Sequence, residues 1–126
     1  MMKSRELALK IAEVLDKKGA TDITILEVDH LTSITDYFVI ATGRNVQAVR
    51  SLAEDVEEKL DAEGTPVRRH EGMNESRWVV LDYAHVIVHI FHPEEREYYN
   101  IERLWMDGSN QIPFVPGGQG EAPENA

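Results

Sequence analysis

The segment WVVLDYAHVIVHIF, Trp78–Phe91, constrains this chain more than any other. It reads as two strands joined by a tight turn, and both faces of that hairpin are largely apolar. With Ala84 and His85 in the turn, Tyr83 faces Val86, Leu81 faces Val88 and Val79 faces Ile90. That face is aliphatic and suits packing against helices. The other face pairs Asp82 with Ile87, Val80 with His89 and Trp78 with Phe91. Ala84-His85 is a poor two-residue turn, because neither residue favours positive φ. A longer loop shifts the register but leaves the division into two faces intact. The second face admits two readings. Helices cover it, with Asp82 and His89 pairing to each other or to the core edge. Alternatively it stays partly open, and its aromatic anchors and few polar groups then have the composition of a protein-binding hot spot. The pattern leaves both readings open.

The rest of the chain supplies the frame. From Ser4 to Lys18, Leu7, Ala8, Ile11, Val14 and Leu15 form a helical stripe, with Ser4 as candidate N-cap and Gly19 as stop. Asp22–Asp29 is rich in β-branched residues and predicts a strand. Asp36–Gly43 is almost continuously apolar, as expected of a central strand covered on both faces. Asn45 can cap a helix running to about Ala62 on the stripe Val49, Leu52, Ala53, Val56 and Leu60. The segment TPVRRHEG is short and extended, and the strand–helix–strand order predicts that it runs parallel to the preceding strand. After the hairpin, Pro93 and the acids Glu94, Glu95 and Glu97 suit a helix start. Tyr98, Ile101, Leu104 and Trp105 line that helix, while Tyr99 and Glu102 lie off its stripe and can join a surface beside the hairpin. The expected fold is a single α/β domain with a mixed five-stranded sheet and about three helices. Residues 1–110 form the domain, and residues 111–126, rich in Gly, Pro and acids, form a tail expected to be disordered.

Composition limits the function classes. At 126 residues the chain is long enough for one domain with a full core. It has no cysteine, which excludes disulfides, thiolate metal ligands and a thiol nucleophile, and fits the cytoplasm. The N-terminus lacks a secretory pattern because Lys10 and Glu13 interrupt any apolar run, and no stretch has membrane-spanning length. A soluble, intracellular protein with no membrane contact is expected. The 23 acids against 13 Lys and Arg give a formal charge of −10, which disfavours affinity for bare phosphate backbone and therefore direct DNA binding. That charge suits either plain solubility or docking on a basic surface.

Catalytic and metal-binding patterns are weak. His85, His89 and His92 do not share a face, and H-E-x-x-H is absent, so no metal or other cofactor is expected. Glu27 and Asp29 place two carboxylates on one strand face, a pattern used with a divalent metal in nucleotidyl transfer. A Gly-Ser phosphate turn and a convincing third acid are missing. Gly43 before a helix is a lone glycine rather than a phosphate loop. Ser33, Thr35 and Asp36 have no histidine in a defined relation, so a structural role at the strand start is the simpler account. Arg68, Arg69 and His70 form a small basic patch that suits a solvated edge, or an RNA phosphate.

Two blocks, SITDYFVIATGRN and RWVVLDYAHVIVHIFHPEEREYYNIERLW, closely resemble the ribosomal silencing factor family, also called Iojap-like. The resemblance covers roughly Leu7 to Asp107. The family's Trp-aliphatic-Asp motif matches at Trp78, Val79, Val80, Leu81 and Asp82, and its second hairpin strand matches at Val86 to Phe91 with His89 in place. Ala84 stands where the family usually has glycine and His85 where an acid is common, departures that bear on the turn alone. The resemblance implies a nucleotidyltransferase-like scaffold without its catalytic acids. It further implies a non-enzymatic translational repressor that binds the large ribosomal subunit through large-subunit ribosomal protein fourteen. Such a repressor blocks joining of the small subunit under nutrient limitation. Family members are also seen as dimers, so a homodimer is a further implied association. On this reading Trp78, Val80, Asp82, Ile87, His89, Phe91 and Tyr99 are the expected partner-binding residues, with Asp82 meeting a basic side chain. The competing enzymatic expectation is a metal-dependent nucleotidyltransferase built on Glu27 and Asp29.

Overall fold

Six strands form one mixed sheet in the computed structural model, which describes residues 2–117. In chain order the elements are α1 (Ser4–Lys17), β1 (Thr21–Glu27), β2 (Tyr37–Thr42), α2 (Val46–Ala62), β3 (Arg69–Glu71), β4 (Trp78–Asp82) and β5 (Val86–Phe91). They are followed by α3 (Pro93–Tyr99), α4 (Ile101–Trp105) and β6 (Gln111–Ile112). The sheet order is β3-β4-β5-β2-β1-β6. Only β2 and β5 pair in parallel; all other neighbours are antiparallel.

The hairpin adopts the tightest closure that its alternation allows. Trp78 pairs with Phe91, Val79 with Ile90, Val80 with His89, Leu81 with Val88 and Asp82 with Ile87. The Tyr83 N–H donates to the Val86 carbonyl at 2.9 Å, which leaves Ala84 and His85 as the turn. Ala84 takes a left-handed φ of 73°, a conformation that costs energy for any residue with a Cβ. The Asp82 carboxylate accepts the Ala84 N–H at 2.8 Å and so stabilises this turn without the usual glycine. β2 is buried along its whole length, between β5 and β1, as its continuous apolar character predicts.

One sheet face carries the main core. Val79, Leu81, Tyr83, Val86, Val88 and Ile90 pack there with Ile11 and Leu15 of α1 and with Val49, Leu52, Val56 and Leu60 of α2. The α2 stripe is buried as its spacing predicts, and the Asn45 side chain caps this helix by accepting the Ala48 N–H at 2.8 Å. On the second face a smaller cluster contains Leu26, Val28, Phe38, Ile40 and Phe91. Trp78, Ile87, Ile101 and Trp105 pack against it and remain partly exposed.

Several expectations need correction. The sheet has six strands rather than five. The extra one is Gln111–Ile112, which the sequence pattern assigns to the tail. Ile112 pairs with Ile25, and the buried Asn110 amide donates to the Glu27 and Trp105 carbonyls, so these residues are tied to β1 despite their Pro/Gly-rich context. The expected tail beyond Gly117 lies outside the described residues. The third helix is interrupted at Asn100, whose φ of 46° is left-handed, so α3 and α4 are two short pieces. The break changes the helical phase: Tyr98 and Leu104 are exposed, and only Ile101 and Trp105 of the expected stripe reach the sheet. Ser4 is the first helical residue rather than the cap; its hydroxyl donates to Asp36 at 2.9 Å, and Glu6 accepts the Lys3 N–H instead. Finally, β3 runs parallel to β2, as strand–helix–strand order predicts, but the hairpin lies between them.

Candidate functional site

The alternation that sends Val79 and Leu81 into the main core sends Trp78, Val80 and Asp82 to the second face. On β5 the same face carries Ile87, His89 and Phe91. The face is neither sealed nor bare. Phe91 is fully buried and His89 is 9% exposed, whereas Trp78, Val80, Asp82 and Ile87 are half-buried. Tyr99, on the last turn of α3, is exposed and lies beside them. All seven expected residues lie on this side of the sheet, in two tiers, but Phe91 and His89 are buried beneath the others and are not surface residues as expected.

The lower tier is an aromatic stack. The Trp78 ring lies on Phe91 with centroids 4.9 Å apart and planes at 28°, and on Tyr99 at 4.8 Å and 42°. His89 meets Phe38 in a T-shaped contact at 5.1 Å, and Phe38 meets Trp105 likewise at 5.1 Å. The Trp78 indole N–H donates to His89 Nδ1 at 3.1 Å. Burial pushes the His89 imidazole down to about 4, so it is neutral at pH 7 and able to accept. The upper tier is what a partner can touch: one edge of Trp78, Val80, Ile87 and Tyr99.

Charged groups border this surface. Arg77, directly before Trp78, donates to Glu95 and, at 2.8 Å, to Glu94. It clamps the start of α3, the helix that carries Tyr99, beside Trp78 at the start of β4. The guanidinium holds the Glu95 carboxyl below its ordinary range. A groove of about 530 Å³ beside Trp78 and Tyr99 is lined by Glu71, Glu75 and Glu95 together with Arg77. Glu71 pairs across from Val80 at the sheet edge. Asp82 serves its own chain twice, holding the Ala84 N–H and lying 3.7 Å from Arg69. Its side chain is still 18% exposed. Sequence pattern did not single out Arg77, and only the acids fifteen or more positions downstream hint at its partners.

The catalytic alternatives find less support. The three histidines His85, His89 and His92 do three separate jobs. His85 lies 3.2 Å from Asp36, His89 accepts from Trp78, and His92 accepts the Glu94 N–H at the start of α3. Ser4 and His85 both address the Asp36 carboxylate, so the hydroxyl is not aligned on an imidazole as a nucleophile requires. Glu27 ends β1, and Asp29 is exposed in the turn beyond it, 3.6 Å from His30. Among the described residues, the cluster of three groups able to converge on a metal is His92, Glu94 and Glu95, and it includes neither of those acids. Both of its carboxylates are paired with Arg77. His70 bonds to Glu57 and Arg69 lies 3.7 Å from Asp82, so two members of the basic patch have acidic neighbours within the chain.

A family model described as "Ribosomal silencing factor during starvation" matches residues 1–125. "Ribosomal silencing factor RsfS" of Bacillus subtilis is 41% identical over 100 residues, covering 79% of this chain and 85% of that protein. The mouse protein named "Mitochondrial assembly of ribosomal large subunit protein 1" is 30% identical over 98 residues, covering 75% of this chain and 43% of its own length. A crystal structure of a protein from Chromobacterium violaceum is similar at a TM-score of 0.80 and 33% identity, covering 98% of this chain and 99% of that one.

Proposed function

Because the chain belongs to the ribosomal silencing factor family, we propose that it represses translation by occupying the large ribosomal subunit. It docks through large-subunit ribosomal protein fourteen and sterically blocks joining of the small subunit. The observation that carries this reading is the half-open upper tier, with its aromatic edges, on the second sheet face. Trp78 and Tyr99 offer ring surface that this chain's own helices leave uncovered. A rigid aromatic anchor with a polar border has the anatomy of a binding hot spot. The name of the mouse relative, which concerns assembly of the ribosomal large subunit, supports the choice of subunit. Among the described residues no helix is long and apolar enough to cross a membrane. Action in the cytoplasm, where ribosomes are met, follows from the same reading.

Charge fits the partner. A net charge of −10 and the acids Glu71, Glu75 and Asp82 around the face favour a basic protein over exposed rRNA phosphate. Asp82 supplies a carboxylate at the surface edge whose spare capacity suits an incoming Arg or Lys. In this reading the chain is no enzyme: the nucleotidyltransferase-like scaffold is used to present a surface, and inhibition needs no turnover. One patch on the large subunit cannot hold both this protein and the small subunit.

Sedimentation of the purified full chain with free large subunits, free small subunits and joined ribosomes tests this. Pelleting with free large subunits alone is the expected result. Equal pelleting with joined ribosomes removes the steric mechanism, and no pelleting with large subunits removes the partner.

A further inference from the structure

We propose that His89 is a positioning residue of the docking face: its ring holds the Trp78 indole in the orientation that the partner meets. The inference deepens the docking reading and rests on it. It also changes the role of one expected contact residue. At 9% exposure, beneath Trp78 and against Phe38, His89 has almost no surface to offer a partner and acts through its neighbour.

The chemistry explains why a histidine stands there. An indole N–H can only donate, so the Nδ1 atom that receives it at 3.1 Å must be unprotonated, and the ring proton sits on Nε2. That Nε2 is buried and has no hydrogen-bond partner among the described residues. An orphaned buried donor is a standing cost, and an apolar side chain at this position would avoid it. Packing alone therefore does not account for the imidazole. What it supplies that Leu or Phe cannot is an acceptor aimed at Trp78. Among the described residues no charged group makes a hydrogen bond or ion pair with this ring, and burial keeps it neutral, so the acceptor is present at physiological pH.

Trp78 needs that acceptor. Its stacking on Phe91 and its contact with Tyr99 hold the ring plane but discriminate poorly between the two faces of an indole flipped about its second side-chain torsion. The N–H bond breaks that degeneracy, since only one flip points the donor at His89. An anchor already held in its bound orientation loses less freedom on docking, and this raises affinity.

Two variants of the full chain separate this role from simple filling of space. His89→Leu removes the acceptor; His89→Asn retains one at about the same place. The first readout uses the free protein: the indole Nε1–H resonance of Trp78 and its exchange with solvent, with Trp105 as internal reference. The second is affinity for isolated large subunits by sedimentation. His89→Leu is expected to expose the Trp78 indole to exchange and lower affinity about 10-fold, the worth of one lost hydrogen bond. His89→Asn is expected to restore both. Wild-type indole protection or wild-type affinity in His89→Leu overturns the inference, as does an Asn variant no better than Leu. Should His89→Leu not fold, His89→Phe keeps a ring without an acceptor and is read in the same way. Unchanged affinity in Trp78→Ala instead removes the docking reading itself, and the indole readout in the free protein then still decides whether His89 orients Trp78.

Discussion

Trp78→Ala lowers affinity for isolated large ribosomal subunits by about 30-fold or more, the effect expected of a hot-spot anchor worth at least ~2 kcal/mol. The substitution removes the largest ring in the exposed tier and leaves a hollow above Phe91, so the loss combines contact area with surface shape. The fold survives, because Trp78 is half-buried at the border of the smaller cluster while the main core on the opposite face is untouched. Far-UV circular dichroism of the variant should therefore overlay that of the wild type. Glu13→Ala, on the exposed side of α1, is the control and leaves pelleting unchanged. If Trp78→Ala pellets like the wild type, the exposed tier does not touch the subunit.

Phe91→Ala acts on stability rather than on contact. Phe91 is fully buried, stacks beneath Trp78 and belongs to a small cluster whose other buried members among the described residues are Leu26, Val28, Phe38 and Ile40. Deleting a buried phenyl ring costs roughly 3–5 kcal/mol, through lost transfer energy and the cavity left behind. Collapse of the surroundings cannot relieve much of that cost, since Leu26 on β1, Phe38 and Ile40 on β2 and Trp78 on β4 sit on strands whose register is held by backbone pairing. The midpoint of urea unfolding should fall accordingly. A variant with an unchanged midpoint would show that the second face contributes little to the fold. The two substitutions thus separate the tiers: Trp78 carries recognition, and Phe91 carries the platform beneath it.

Period-two alternation made the hairpin legible to the level of individual pairs, because one face must be buried and a slip by one residue would turn every side chain over. Two other patterns were equally direct: an unbroken apolar run marks β2 as a central strand, and the helical stripe from Val49 to Leu60 marks the core side of α2. Alternation says which residues share a face; it does not say how far other elements cover that face. Coverage here is set by α3 and α4. Asn100 changes their phase by entering the left-handed region, which asparagine tolerates better than most residues. That one residue decides that Ile101 and Trp105 shield Phe38 while Tyr98 and Leu104 face solvent. β6 escaped notice for a different reason: two residues have no period, and their pairing depends on the distant Asn110 contacts with Glu27 and Trp105. The role of Asp82 was half-legible. Its place on the second face follows from the pattern, but its bond to the Ala84 N–H answers a need that the missing turn glycine creates. The Arg77 clamp joins residues brought together only by the fold.

Oxidative footprinting of the full chain, alone and with saturating large subunits, tests the docking surface most directly. Trp78 and Tyr99 are exposed enough in the free protein to be labelled, and α1 and α2 lie across the sheet from them. Protection of Trp78 and Tyr99 on adding subunits, with labelling of the outer sides of α1 and α2 unchanged, is the predicted result. Full labelling of both rings in the bound state, with protection appearing on α1 or α2 instead, would contradict it.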